Sequence, residues 1–251
     1  MTIEHIAVVI PARNEELTID ECLRAVCVAR AAVDCSVRIV VVLDACRDRT
    51  RALVGRHEGI ETVVVSARCV GAARAAGIDH VLATTAYPTD GIWLANTDAD
   101  SSVPPHWLSQ ALCEAHDGAD LVLGTVVPHG VSGALARAWS ARHEPGDGHS
   151  HVHGANLGVR ASTYLAAGGF PAVATAEDVG LVDRVTTRTT ARIARVGSIP
   201  VLTSGRVEGR SPEGFAGYLT RLAARLAPTP SMAGPSPELG ADGPTSVAKT
   251  L

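Results

Sequence analysis

Over residues 6–127, short uninterrupted apolar runs alternate with stretches whose apolar positions recur at helical spacing. "IAVVIP" (residues 6–11) is a continuous apolar run closed by proline, the pattern of a strand buried on both faces. "EELTIDECLRAVCVARAA" follows with helical periodicity and good helix formers. The pairing then repeats. "VRIVVVLD" predicts a second strand, "DRTRALVGRH" a short helix and "ETVVVS" a third strand. "VGAARAAGIDHVLATT" predicts a small-residue helix able to pack closely on a sheet, and "GIWLANTD" a fourth strand. "PHWLSQALCEAHDG" predicts a helix and "ADLVLGTVV" a fifth strand. This alternation specifies an α/β fold with a Rossmann-like, mostly parallel sheet, three layers deep and joined by right-handed crossovers.

Beyond residue 128 the alternation loosens. "GALARAWSAR", "ASTYLAAGG" and "AEDVGLVDRVTTR" predict helices, the second stopped by glycine. "HEPGDGHSHVHGANLGVR" predicts a loop running into a strand, "ARIARVG" a further strand, and "SPEGFAGYLTRLAARLA" an amphipathic final helix. Residues 228–251 are rich in Pro, Gly and Ser without periodicity and are expected to form a flexible tail. The ordered part is therefore expected to be one domain over 1–227.

Composition narrows the function. At 251 residues and 46% hydrophobic the chain is long enough for a substantial core. A net charge of −4 gives no reason to expect nucleic acid as a partner. No apolar run approaches the roughly 20 residues that span a bilayer. The start, "MTIEHIAVVIPARNEE", has neither a basic leader nor a small-residue cleavage site, so a cytoplasmic location is expected. The six cysteines are scattered with no Cys-x-x-Cys pair and read as reduced thiols.

In open α/β sheets, ligands bind outside the carboxyl ends of the strands. Those ends carry "PARNEE", "DACRDRT", "SARCVGAAR" and "TDAD" in turn. An isolated Asp-x-Asp is often only a turn or a helix cap. Four polar loops brought to one sheet edge are a stronger signal.

Six segments, "VVIPARNEE", "VVVLDACRDRT", "VGAARAAG", "WLANTDADSSVPPHWL", "GANLGVRASTYLAAGGF" and "AEDVGLVDRV", resemble those of family 2 glycosyltransferases with the GT-A fold. They stand in that family's order and cover roughly residues 6–226. The resemblance implies a metal-dependent enzyme of hexosyltransferase type. It would move a sugar from a UDP- or GDP-linked donor to a hydroxyl acceptor, with inversion. A nucleotide-binding part would occupy about 1–127 and an acceptor-side part about 128–227.

The resemblance also assigns roles. Pro11, Ala12, Asn14 and Glu15 match the first nucleotide loop, with Glu15 accepting from ribose hydroxyls; the competing reading is acids capping the next helix. Asp44 matches the acid that reads the base edge, although this chain has Leu43-Asp44-Ala45-Cys46 where the family usually has Asp-Asp-x-Ser. Arg74 matches an arginine near the base and pyrophosphate. Asp98 and Asp100 match the family's Asp-x-Asp motif. Residues i and i+2 of an extended segment project to one side, and carboxylates suit Mg²⁺ or Mn²⁺ bridging a diphosphate. Asp100 is the candidate direct ligand, and Asp98 a second ligand or a ribose contact. In Glu177-Asp178, Asp178 is the candidate general base and Glu177 its positioning partner. The competing reading is acids stabilising a helix N-terminus. Gly154, Ala155 and Asn156 match the small-residue segment bordering donor sugar and acceptor. Gly168-Gly169-Phe170 reads as a structural turn, and Arg184 as an anchor for the Glu177-Asp178 helix.

Several features stay open. His149, His151 and His153 share one face if extended, as a transition-metal site or as a polar wall beside the acceptor. Arg206 and Arg210 face the diphosphate or are surface charges, and Glu208 or a histidine is available as a further metal ligand. Two alternatives compete with the transferase. A sugar nucleotidyltransferase needs an early glycine-rich phosphate loop, which "IPARNEELT" lacks. A non-catalytic nucleotide- or partner-binding member would keep the fold without turnover. The acceptor would be a small molecule, a glycan or a lipid-linked molecule, which the sequence does not identify, and the final amphipathic helix allows a peripheral membrane contact.

Overall fold

The computed structural model describes residues 2–143, 146–206 and 214–226. The tail expected over 228–251, together with Glu208 and Arg210, lies outside the described residues. Among the described residues eight strands form one sheet in the order β3-β2-β1-β4-β7-β6-β8-β5. They are β1 (His5–Ala12), β2 (Ser36–Asp44), β3 (Ile60–Val65), β4 (Ile92–Asn96), β5 (Ser101–Ser102), β6 (Leu121–His129), β7 (Leu157–Arg160) and β8 (Ile193–Ser204). The helices are α1 (Ile19–Arg30), α2 (Thr50–Val54), α3 (Val70–Thr84), α4 (Trp107–His116), α5 (Gly133–Ser140), α6 (Ala161–Ala167), α7 (Glu177–Arg188) and α8 (Phe215–Ala224).

The apolar runs of β1 and β2 are continuous because each strand feeds two cores. Ile6, Val8 and Ile10 join Ile39, Val41 and Leu43 under α1 and α4. Ala7 and Val9 join Val40 and Val42 under α3 on the other face. That is the expected three-layer sandwich. The strands β3, β2, β1 and β4 are mutually parallel, and the chain reverses its direction of travel across the sheet between β1 and β4. Ligands bind at such a switch point.

Three features depart from the simple alternation. First, β7 enters antiparallel between β4 and β6, so the fourth and fifth strands are not neighbours. Second, β8 runs past Pro200 to Ser204 where the sequence suggests a strand ending near Gly197. Its register on β6 jumps from Gly124↔Val196 to Val126↔Val201, which leaves the carbonyls of Thr125 and Ile199 outside the regular ladder. The buried Asn156 amide donates to both, at 2.8 and 2.7 Å, so Pro200 sits at a satisfied bulge instead of ending the strand. Third, the two-residue β5 pairs antiparallel with the end of β8, Ser101↔Thr203, and Ser101 Oγ donates to Thr203 Oγ1 at 2.9 Å. This pins the segment after Asp98 and Asp100 against a strand a hundred residues later. Cysteines 22, 27, 35, 46, 69 and 113 are all free thiols.

Candidate active site

A cavity of about 360 Å³ opens at the carboxyl ends of β1, β2 and β4. Its walls include Pro11, Ala12, Glu15, Asp44, Arg74, Asp98, Asp100, Gly154, Glu177, Asp178 and Arg206. Of the residues matched to nucleotide, metal, sugar-side and acid-pair roles in the sequence, Asn14 and Asn156 do not line it. Asn14 shapes the rim, accepting at 2.8 Å from the Arg47 N–H. Asn156 lies behind the wall. Besides plugging the β8 bulge it accepts from Trp107 Nε1 at 2.9 Å, so its side chain braces β6, β8 and α4.

The backbone around the cavity is strained. Among the described residues four non-glycines have positive φ: Asn14 (53°), Ala45 (51°), Arg68 (49°) and Ala176 (58°). They follow β1, follow β2, precede α3 and precede α7. The left-handed conformation costs an L-residue roughly 1–2 kcal/mol, and strain gathers where a site is held against its intrinsic preference. Asp44, at the tip of β2, stabilises one of these bends. Its two oxygens accept from the N–H groups of Arg68 at 2.8 Å and Cys69 at 3.0 Å. Each oxygen keeps acceptor capacity toward the cavity.

Arg74 is only 1% exposed. Its guanidinium donates to Asp98 Oδ1 at 2.5 Å, to Glu177 Oε1 at 3.1 Å and to the Thr97 carbonyl at 3.4 Å. Burial by itself lowers the Arg74 pKa, but the charges of Asp98, Glu177 and Asp178 outweigh it and leave the pKa raised. The arginine is therefore a permanent cation joining the acid at the end of β4 to the acid at the start of α7. Burial raises the Glu177 pKa against the pull of Arg74.

Asp100 sits deeper than Asp98, with side-chain exposures of 13% and 36%. Burial first, and then the neighbouring Asp98 charge, push its pKa up to about 7, while Arg206 pulls the other way. Arg206 pairs with Asp100 Oδ2 at 3.0 Å and forms a fork on Glu15, at 3.0 and 3.1 Å. Of the two readings open for Arg206, the structure gives the one that faces the cavity. Asp178 is held by two backbone donors, Gly154 N at 2.7 Å and Val179 N at 2.8 Å. A Cβ on Gly154 would stand 2.7 Å from Arg74 Nη2 and 3.3 Å from Glu177 Oε1, so the absence of a side chain lets this wall close. Gly168 and Gly169 form the expected left-handed turn, and Arg184 donates to both their carbonyls at 2.9 Å.

The histidine row forms a ladder of neighbouring rings. The rings of His149 and His151 stack at 5.8 Å and those of His151 and His153 at 6.0 Å. Among the described residues no three His, Cys, Asp or Glu side chains form a metal-binding group. The rings stand roughly parallel, at 19° and 24° to their neighbours. Only His153 reaches the cavity. Burial, and then the charges of His151, His143 and His149, push its pKa down to about 3.

The sequence over residues 7–151 matches the model of glycosyl transferase family 2. The chain belongs to glycosyl transferase family 2. No curated protein matches it by sequence. Among solved structures the family 2 chain is similar to S. aureus TarS 1-349 in complex with UDP, with a TM-score of 0.61 and 16% identity. That match covers 90% of this chain and 65% of the other. It is also similar to the mannosyltransferase PcManGT from Pyrobaculum calidifontis in complex with GDP-Man and Mn²⁺, with a TM-score of 0.58 and 20% identity, covering 82% and 58%. A third similar structure is glucosyl-3-phosphoglycerate synthase from Mycobacterium tuberculosis with Mn²⁺, UDP and phosphoglyceric acid, with a TM-score of 0.54 and 17% identity, covering 89% and 77%. At these identities the likeness establishes the GT-A fold, and the chain spans about two thirds of the TarS structure's length. Among the described residues no helix is long and apolar enough to cross a membrane.

Proposed function

We propose that this family 2 chain transfers a hexose from a nucleotide-diphosphate sugar to a hydroxyl acceptor, with inversion and with a divalent cation at Asp98 and Asp100. The observation that carries the reading is the buried guanidinium of Arg74 holding Asp98 and Glu177 at once. It joins the acids after β4 and those opening α7 into one cavity wall.

The donor side is residues 1–127. The backbone of Pro11 and Ala12 and the carboxylates of Glu15 and Asp44 line the arm suited to a nucleoside. Glu15 accepts from ribose hydroxyls in place of the Arg206 fork, and Asp44 offers its remaining acceptor positions to a base edge. The similar structures carry UDP or GDP-Man, which supports a uridine or guanosine diphosphate donor. Asp98 and Asp100 fit Mg²⁺ or Mn²⁺. Both are hard oxygen donors, and their mutual repulsion is relieved by a cation. Such ions need only one or two carboxylates when substrate phosphates complete the shell. Bound there, the ion would act as a Lewis acid on the leaving diphosphate.

On the acceptor side, residues 128–227, Asp178 takes the proton from the acceptor hydroxyl. The hydroxyl oxygen forms its bond to the anomeric carbon as the bond from that carbon to the diphosphate oxygen breaks on the opposite face. The N–H groups of Gly154 and Val179 fix the carboxylate for that task, and Glu177 is held beside it by Arg74. The test is release of nucleoside diphosphate from a panel of UDP- and GDP-sugars, with and without EDTA. Metal-dependent release from one donor, lost in Asp100→Ala, is expected. No release from any donor would overturn the reading.

A further inference from the structure

We infer that Arg206 couples the two ends of the donor cleft. Its guanidinium holds Glu15 and Asp100 together while no donor is bound, and a divalent cation at Asp100 frees Glu15 for the ribose. The inference rests on the transferase reading and adds a linkage to it: cation and nucleoside bind better together than alone, even through parts that do not touch. One atom carries the coupling. Arg206 Nη2 lies 3.1 Å from Glu15 Oε1 and 3.0 Å from Asp100 Oδ2, and Nη1 completes the fork on Glu15 Oε2 at 3.0 Å. Glu15 follows β1 and Asp100 follows β4, so one side chain from the end of β8 spans the loops assigned to nucleoside and metal.

The chain fixes where this guanidinium starts. The Ser204 N–H donates to the Asp100 carbonyl at 3.1 Å, and the Gly205 N–H to the His129 carbonyl at 2.8 Å. A Cβ on Gly205 would collide with that carbonyl and with the Val131 side chain, so glycine lets the backbone approach this closely just before Arg206. The arginine is the outermost of the three groups. Its side chain is 37% exposed, against 7% for Glu15 and 13% for Asp100. Rotation of that side chain toward solvent uncovers both acids while the backbone stays pinned.

Charge sets the direction of the coupling. Glu15 and Asp100 are poorly hydrated acids, and Arg206 is a permanent cation that offsets both. A divalent ion at Asp100 brings two positive charges up to Nη2, and their repulsion breaks that pair. The guanidinium is then held by one acid instead of two. Ribose hydroxyls reaching Glu15 displace the same fork and leave Asp100 to the cation. Each ligand removes a competitor of the other, which is positive coupling and reciprocal by linkage.

A nucleoside diphosphate cannot isolate this effect, because its phosphates meet the cation directly. Uridine and guanosine can. Calorimetry on the full chain measures each nucleoside with and without saturating Mn²⁺, and Mn²⁺ with and without nucleoside. In the wild type Mn²⁺ should tighten one nucleoside by roughly 5- to 150-fold, the usual range of coupling between sites, and that nucleoside should tighten Mn²⁺ by the same factor. Arg206→Gln should bind each alone more tightly than the wild type and show no coupling. Arg206→Lys keeps a cation and should retain part of it, and circular dichroism checks that both variants fold. Coupling absent from the wild type, coupling that persists in Arg206→Gln, or an Arg206→Lys protein indistinguishable from Arg206→Gln would overturn the inference. The same chain is titrated with UDP and GDP in Mn²⁺. Nucleotide binding without nucleoside coupling overturns the role of Arg206 and leaves the transferase reading standing. No response to either nucleotide sinks that reading, and the coupling with it.

Discussion

Arg74 and Glu177 stand 103 positions apart in the chain, and Arg74 Nε donates to Glu177 Oε1 at 3.1 Å in a buried pair. The same guanidinium holds Asp98 at 2.5 Å. Truncating it leaves a buried carboxylate without its cation, a change that costs about 3–5 kcal/mol. Arg74→Ala is expected to lose that much in chemical denaturation. Arg74→Lys has one ammonium where two bonds diverge, so it should fold but lose turnover. An Arg74→Lys protein with wild-type rate would show that the bridge has no role in alignment.

In the proposed reaction Asp178 takes the acceptor proton, and general bases contribute roughly 10²–10⁴-fold to rate. Asp178→Asn keeps an oxygen for the Gly154 N–H and removes the basicity. Turnover should fall by that factor while nucleotide affinity stays unchanged. A comparable loss in nucleotide affinity would assign Asp178 to donor binding instead.

The region that holds this acid pair is tightly packed. A Cβ on Gly71 would collide with the Pro171 carbonyl and stand 3.0 Å from Glu177 Cβ. Gly71→Ala should therefore destabilise by about 1–3 kcal/mol through overpacking. Ala176, whose φ of 58° sets the entry into α7, is the opposite case. Ala176→Gly removes left-handed strain and should leave stability equal or higher by up to about 1 kcal/mol. Thermal melts of the two variants separate these signs.

Burial holds His153 at about 3, below its ordinary value of 6.5. Between these values the unfolded chain binds a proton that the folded chain does not. Its contribution to stability is complete above pH 6.5 and falls as pH drops toward 3, by at most about 1.4 kcal/mol per pH unit. Asp100 and Glu177, with raised pKa values, contribute with the opposite sign. The readout is therefore the difference in stability between wild type and His153→Asn across pH 4–7. That difference should shrink as the solution is acidified, and a flat difference would show that His153 titrates normally.

The layers of the fold were legible because each strand buried on both faces leaves an unbroken apolar run, as in residues 6–10 and 39–43. The carboxyl-end loops could then be placed on one edge, which located Glu15, Asp44, Asp98 and Asp100 before any contact was known. What stayed hidden depends on pairings that no local pattern carries. β5 is two serines, too short for any periodicity. Pro200 reads as a strand end because the amide that satisfies its bulge comes from Asn156, on a different element. Arg206 looked like one of two loop arginines, and only the approach of β8 to β5 brings it onto Glu15 and Asp100. Asn156 matched a family segment but faces inward, because its side chain is consumed by three bonds in the core.

The donor site is tested most directly by thermal unfolding of wild type and Asp100→Ala with UDP and GDP, each with and without Mn²⁺. A ligand at 100 times its Kd stabilises a fold by about 2.7 kcal/mol. One nucleotide should raise the wild-type melting temperature in the presence of Mn²⁺, and Asp100→Ala should abolish the metal-dependent part. A wild-type protein indifferent to both nucleotides with Mn²⁺ present would contradict a nucleotide-sugar site at Asp98 and Asp100.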